Sequence, residues 1–156
     1  MKEVNEIVKS NDILIFDHGL HYGVASGREF VDHMTELVKT AVGVGHLKLL
    51  AWRETSAQHY DTPGGHFIPD KPTDYCVPMR EEDFEGGNRL GEMMRDVLNR
   101  TGTGSHQLTI LPFREYTSQL HALHTGTEND CSHFCSTPSL WLQLWRTLRI
   151  AFDSIP

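Results

Sequence analysis

Asp12-Ile13-Leu14-Ile15-Phe16-Asp17-His18-Gly19 is the stretch on which the fold turns. Four apolar residues, rich in β-formers, end abruptly in an acid, a histidine and a glycine. A short unbroken apolar run of this kind reads as a buried strand of a parallel sheet, where both faces are covered. The spacing then predicts a helix from about Arg28 to Val42. There Phe30, Val31, Met34, Leu37, Val38 and Ala41 recur at three- and four-residue steps and make one face apolar. Gly43 and Gly45 close that helix, and His46 to Trp52 reads as the next strand.

Periodicity then disappears. Four of the seven prolines (Pro63, Pro69, Pro72 and Pro78) and the Gly64-Gly65 pair fall between Arg53 and about Arg80. An irregular segment of that length in a folded domain is commonly a functional loop. A helical pattern resumes from about Asn88 to Arg100 on Leu90, Met93, Met94, Val97 and Leu98. Gln107 to Leu111 is a third candidate strand, and a polar segment leads on to Asp130. The last helix is the best defined. Thr137 suits its N-cap and Pro138 its first turn, and Leu140, Trp141, Leu144, Trp145, Leu148 and Phe152 mark an apolar face. Trp141 and Trp145 are expected in the core. Strand, helix, strand, loop, helix, strand, helix is the order of an α/β domain with a mostly parallel sheet. Ligand sites in such sheets gather at the C-terminal strand ends.

Composition narrows the function. The chain has 156 residues, enough for one domain spanning 1–156. Fourteen basic and 21 acidic residues give a net charge of −7, with a pI near 5.7 and a mean hydropathy of −0.39. That balance opposes phosphate-backbone binding, so no nucleic-acid partner is expected. No apolar run approaches ~18 residues, so no membrane contact is expected from this chain itself. Met1 to Glu6 also lacks the layout of a signal peptide.

Several segments carry candidate chemistry. Asp130 and His133, three residues apart, can share one turn of chain, the carboxylate fixing the tautomer of a basic imidazole. The same spacing equally suits an aspartate capping a turn beside a packed histidine. Cys131, His133 and Cys135 put three soft ligands within five residues, with His59, His121 or His124 as a fourth. Structural zinc sites, however, prefer Cys pairs from separate segments, and disulfides or plain burial are the alternatives. Gly19, directly after a strand, suits either a backbone oxyanion hole or a tight turn. Arg53 and His59 suit substrate binding or the bracing of the long loop. Asn99-Arg100-Thr101 is a glycosylation sequon.

Taken together these segments resemble the trichome-birefringence-like / PC-esterase family. Asp130-Cys131-Ser132-His133-Phe134-Cys135, followed by Pro138 and a Leu-Trp-rich helix, is similar to the family's Asp-Cys-Ser/Thr-His-aromatic-Cys signature. Ile13 to Tyr22 resembles its strand ending in Asn-x-Gly-His-aromatic. Arg53-Glu54-Thr55-Ser56-Ala57-Gln58-His59-Tyr60, with Gly64-Gly65 and Cys76, resembles its Arg-Thr-x-Ser-Pro-x-His-Phe block. The resemblance implies a flavodoxin-like SGNH-hydrolase sandwich and carbohydrate O-acetyltransfer or ester hydrolysis in the Golgi or secretory lumen. It implies no cofactor and no metal, and a glycan or acyl-ester partner. His133 becomes the base, Asp130 its orienting partner, and Gly19, His21, Arg53 and His59 the oxyanion and substrate region. It also favours disulfides, of unspecified pairing, with at least one of the three cysteines needing a partner elsewhere or staying free.

The departures are specific. No Gly-Asp-Ser, the family's nucleophile motif, occurs in the chain. Only Met1 to Asn11 precedes the first strand, so the domain is expected to be partial, with its N-terminal part incomplete. Asp17 stands in place of Asn, His21 follows Gly19 one residue late, and Ala57 replaces Pro. These changes leave two further readings open, a glycan-binding member without catalysis and a zinc module.

Overall fold

The computed structural model describes residues 2–18, 27–71, 74–86, 89–104, 107–125 and 130–155. The elements, in chain order, are α1 (Lys2–Ser10), β1 (Ile13–Phe16), α2 (Gly27–Val44), β2 (Leu49–Arg53), α3 (Glu81–Gly86), α4 (Arg89–Thr101), β3 (Thr109–Leu111), α5 (Arg114–Thr117) and α6 (Pro138–Asp153). Single 3-10 turns lie at Pro63–Gly65 and His121–Leu123. The chain is a mixed α/β protein with a parallel sheet. It divides into two compact units.

The first unit comprises Met1–Thr55, Leu90–Leu111 and Thr147–Pro156. Its sheet has the order β1-β2-β3, with both pairings parallel. Ile13 to Phe16 align with Leu49 to Trp52, and Ala51 to Arg53 with Thr109 to Leu111. The central strand is buried along Leu49 to Trp52, as a strand flanked on both sides must be. Alternate residues of the sheet meet the helices. Leu50, Trp52 and Leu108 pack with Phe30, Val31, Met34, Val38 and Ala41 of α2 and with Met94 and Val97 of α4. Truncating a fully buried residue such as Met94 to Ala costs about 2–5 kcal/mol through lost transfer energy and the cavity left behind. α2 stops at Gly45, whose φ of +70° is a left-handed conformation that glycine adopts without Cβ strain.

Three expectations change here. The first strand is not buried on both faces: Ile13 and Ile15 are exposed, while Leu14 and Phe16 lean on the core. β1 pairs with β2 on one edge, and its other edge has no strand among the described residues. Residues 2–10, for which the apolar spacing predicts no element, form helix α1, which packs on α2 and buries Val8. The acidic segment before Asn88 is a separate short helix, α3. Glu81, Glu82 and Asp83 occupy its first turn, where the helix dipole favours anions.

The second unit comprises Ser56–Arg89 and Pro112–Arg146. α6 begins in this unit as its sequence requires, with the backbone N–H of Leu140 donating to Oγ1 of Thr137, and from Thr147 on it belongs to the first unit. Its buried face is narrower than its apolar face. Leu140, Leu148 and Ala151 are buried, but Trp141 is 39% exposed and Trp145 65% exposed. The two tryptophans are therefore not core, contrary to expectation. They sit beside the buried stripe, and Trp141 stacks on Phe113 with ring centroids 6.3 Å apart. Among the described residues no helix is long and apolar enough to cross a membrane.

Candidate functional site

The turn opening at Asp130 is built by its own aspartate. Oδ1 of Asp130 accepts the backbone N–H groups of Ser132 at 3.1 Å and of His133 at 3.0 Å. This Asx-type turn folds the chain back on itself and delivers the His133 ring to the same carboxylate. Nδ1 of His133 lies 3.0 Å from Oδ1 and 2.9 Å from Oδ2. The carboxylate thus both caps the turn and holds the imidazole, although the histidine is exposed and not packed. The hydrogen bond makes Nδ1 the protonated nitrogen and leaves Nε2 as the basic one. The His133 side chain is 67% exposed and that of Asp130 only 25%. Burial pushes the Asp130 carboxyl upward, but the two backbone donors and the His133 ring outweigh it and hold it below the usual carboxylate range.

A disulfide and a set of hydrogen bonds fix this turn within the second unit. Cys131 is disulfide-bonded to Cys76, with Cα atoms 5.4 Å apart. The backbone N–H of His59 donates to the Cys131 carbonyl at 3.0 Å. Ser132 Oγ accepts from the Gln58 side-chain amide at 2.7 Å and lies 3.2 Å from the Tyr60 hydroxyl. On the other side, Thr125 N–H donates to the His133 carbonyl and Cys135 N–H to the Leu123 carbonyl, around a bridge between His124 and Phe134. Gln58, His59 and Tyr60, from the second block of the resemblance, are therefore stitched to Cys131 and Ser132, from the third.

The long loop is shaped where it meets that block. Gly65 has a φ of +70°, and a Cβ there would lie 2.4 Å from the Gln58 carbonyl oxygen. Its own carbonyl accepts the Tyr60 N–H. Ala57 has a use that proline would not serve, because its backbone N–H donates to the buried Thr117 Oγ1 at 2.9 Å.

His59 lies under the turn with no accessible surface. Its Nδ1 is 2.7 Å from Nε2 of His124, and its Nε2 is 2.9 Å from the Ser118 carbonyl. Burial is the main cause that pulls its pKa down to about 4, aided by His124, His121 and Arg114. Of the two roles its sequence context suits, substrate binding and bracing of the long loop, the buried geometry is that of a brace. Thr117 carries no signal in the sequence, His124 stands out there only as a possible metal ligand, and Gln58 and Ser132 only as members of the two blocks.

Arg53 belongs to the first unit. Its guanidinium forms an ion pair with the Asp17 carboxylate, which also accepts the Thr55 hydroxyl at 2.9 Å. Asp17 is thus a brace between the C-terminal ends of β1 and β2, and its charge is neutralised there. Gly19 and His21 lie outside the described residues, as does Ser26.

Cys131 is consumed by its disulfide, so the three-ligand set Cys131, His133 and Cys135 is not available to zinc. Cys135 is a free thiol. Among the described residues no group of three His, Cys, Asp or Glu side chains is placed to hold a metal ion.

The fold and the turn define an α/β protein that carries a carboxylate–imidazole dyad on a disulfide-anchored turn. No family model and no curated protein matches the chain.

Proposed function

We propose that this chain carries the acid–base half of an SGNH-type carbohydrate O-acyltransferase or esterase of the trichome-birefringence-like / PC-esterase kind, acting in the secretory lumen on a flavodoxin-like scaffold. The observation that carries the reading is the Asp130–His133 pair, with Nδ1 tied to the carboxylate and the ring otherwise outward. Such a ring takes the proton of an attacking hydroxyl at Nε2, and the carboxylate stabilises the imidazolium that results. An acyl group passes from its ester to a serine, then to a sugar hydroxyl or to water, and His133 returns its proton to the leaving oxygen. The nucleophile is not in a Gly-Asp-Ser context in this sequence. Turnover by this chain alone on p-nitrophenyl acetate is therefore expected at background.

The experiment pairs that assay with NMR titration by an O-acetylated oligosaccharide. Shift changes centred on residues 130–135, without turnover, support the reading. Absence of shifts there at saturating sugar, or turnover that survives His133→Ala, overturns it. Turnover that dies with His133→Ala keeps the base and locates a nucleophile in the chain, which Ser26→Ala and Ser56→Ala then test.

A second reading, glycan binding without chemistry, draws on Asp17. Held by Arg53 and Thr55, its side chain braces the strand ends and offers no hydrogen-bond donor to an oxyanion. Full turnover on supplying an acyl-serine partner segment would exclude that reading.

A further inference from the structure

We infer that the buried His59–His124 pair binds one shared proton, and that this proton keeps the Asp130–His133 turn braced. The inference rests on a count of hydrogen atoms and is independent of any ester chemistry. Backbone carbonyls accept and never donate. The Ser118 carbonyl, 2.9 Å from Nε2 of His59, therefore requires a proton on that nitrogen. The His133 carbonyl, 3.1 Å from Nδ1 of His124, requires one there too. A neutral imidazole has a single N–H, so both rings have then spent theirs. The nitrogens left facing each other, Nδ1 of His59 and Nε2 of His124, are 2.7 Å apart. Two bare lone pairs do not rest at that distance, whereas a proton between them makes a short charge-assisted hydrogen bond. The arrangement is thus a monocation with three protons on two rings.

The surroundings limit the pair to one charge. His59 has no exposed surface and His124 is 7% exposed, so water does not replace the central proton. Around His59 stand His124, His121 and Arg114; around His124 stand Asp130, His121 and His133. Phe134 covers both rings, with centroids 4.2 Å from His124 and 6.0 Å from His59. Burial, first, and the positive neighbours lower the proton affinity of both rings and so oppose a second charge, while the Ser118 and His133 carbonyls and the Asp130 carboxylate work against that lowering.

The consequence falls on the turn. The His133 carbonyl accepts from both His124 and the Thr125 N–H. When the shared proton leaves, the central contact becomes repulsive and one ring must swing. That movement gives up either the Ser118 or the His133 carbonyl. The turn is held firmly in the protonated state and loosened as pH rises.

Nitrogen-15 NMR of the histidine-labelled full chain tests this. At about pH 5 the two rings should show three N–H groups, one strongly downfield. Raising the pH should remove one proton in a single step. In that same step, exchange protection of the Thr125 and Cys135 backbone N–H should fall about tenfold after correction for intrinsic rates. Two ring N–H groups at about pH 5 with that protection intact would overturn the proposal. So would four, or a step that leaves protection unchanged. His124→Gln should abolish the step while His133 keeps its Nδ1 proton. If that variant does not fold, the wild-type series decides alone.

Discussion

Nδ1 of His133 sits 2.9 Å from Oδ2 of Asp130, on a turn that the same carboxylate forms by capping two backbone N–H groups. Building the turn and orienting the base are one task here. The dyad is consequently local and depends little on distant packing for its geometry, although the tethers around it fix its place.

Replacing Asp130 by Asn separates those roles. Asn keeps an oxygen for the turn but loses the charge that attracts the Nδ1 proton. Nitrogen shifts of neutral His133 should show the Nδ1–H tautomer in the wild type and a mixture in Asp130→Asn. Stability should fall by about 1–2 kcal/mol, the value of charge-assisted hydrogen bonds lost at a partly exposed site. An unchanged tautomer in the variant would show that the carboxylate does not orient the ring.

The Cys76–Cys131 bridge closes a loop with a sequence separation of 55. Loop-closure entropy assigns it about 4 kcal/mol. Reduction, or the Cys76→Ser/Cys131→Ser pair, should lower the urea midpoint accordingly and release the dyad turn. Cys135→Ser should change stability by less than about 1 kcal/mol, because its thiol makes a weak Sγ–H bond to the His124 carbonyl at 3.4 Å and the backbone N–H bond is kept.

Gly65→Ala should be among the most damaging single changes in the second unit. The left-handed backbone and the 2.4 Å approach to the Gln58 carbonyl leave no room for a methyl group. We expect a loss of more than about 2 kcal/mol. Gly43→Ala is the control, since a Cβ there meets nothing within 4 Å.

Acid should destabilise the protein in two steps. Unfolded histidines take protons near their ordinary value of 6.5, whereas buried His59 resists to about 4. The unfolded state thus binds more protons between those values, so this contribution is full above 6.5 and falls as pH drops through that window. A shift of that size corresponds to at most about 3 kcal/mol. The lowered Asp130 carboxyl adds a further loss below its ordinary 3.8. Chemical denaturation across pH measures both, and His59→Gln should flatten the first.

The elements were largely legible because apolar spacing reports which face of a segment is dry. Phe30, Val31, Met34, Val38 and Ala41 are named by their spacing and are the buried face of α2. The same logic failed for Trp141 and Trp145, because the apolar face of α6 is wider than the surface that covers it. It also passed over α1, where few apolar residues precede Ile13, and α3, where a short acidic run carries no such spacing.

The site divides along the same line. Asp130 and His133, three residues apart, were readable because a turn's geometry is set by the residues within it. Every longer pairing was not. Asp17 meets Arg53 across 36 residues, Cys76 meets Cys131 across 55, and His59 meets His124 across 65. By itself the sequence determined the alternation of strands and helices, the dyad's spacing and the absence of a Gly-Asp-Ser motif. Only the tertiary structure decided that Cys131 bonds to sulfur, that Arg53 braces a strand end, and that two histidines share a buried contact. Periodicity is a local property of one segment, whereas partner choice depends on where folding brings distant segments together.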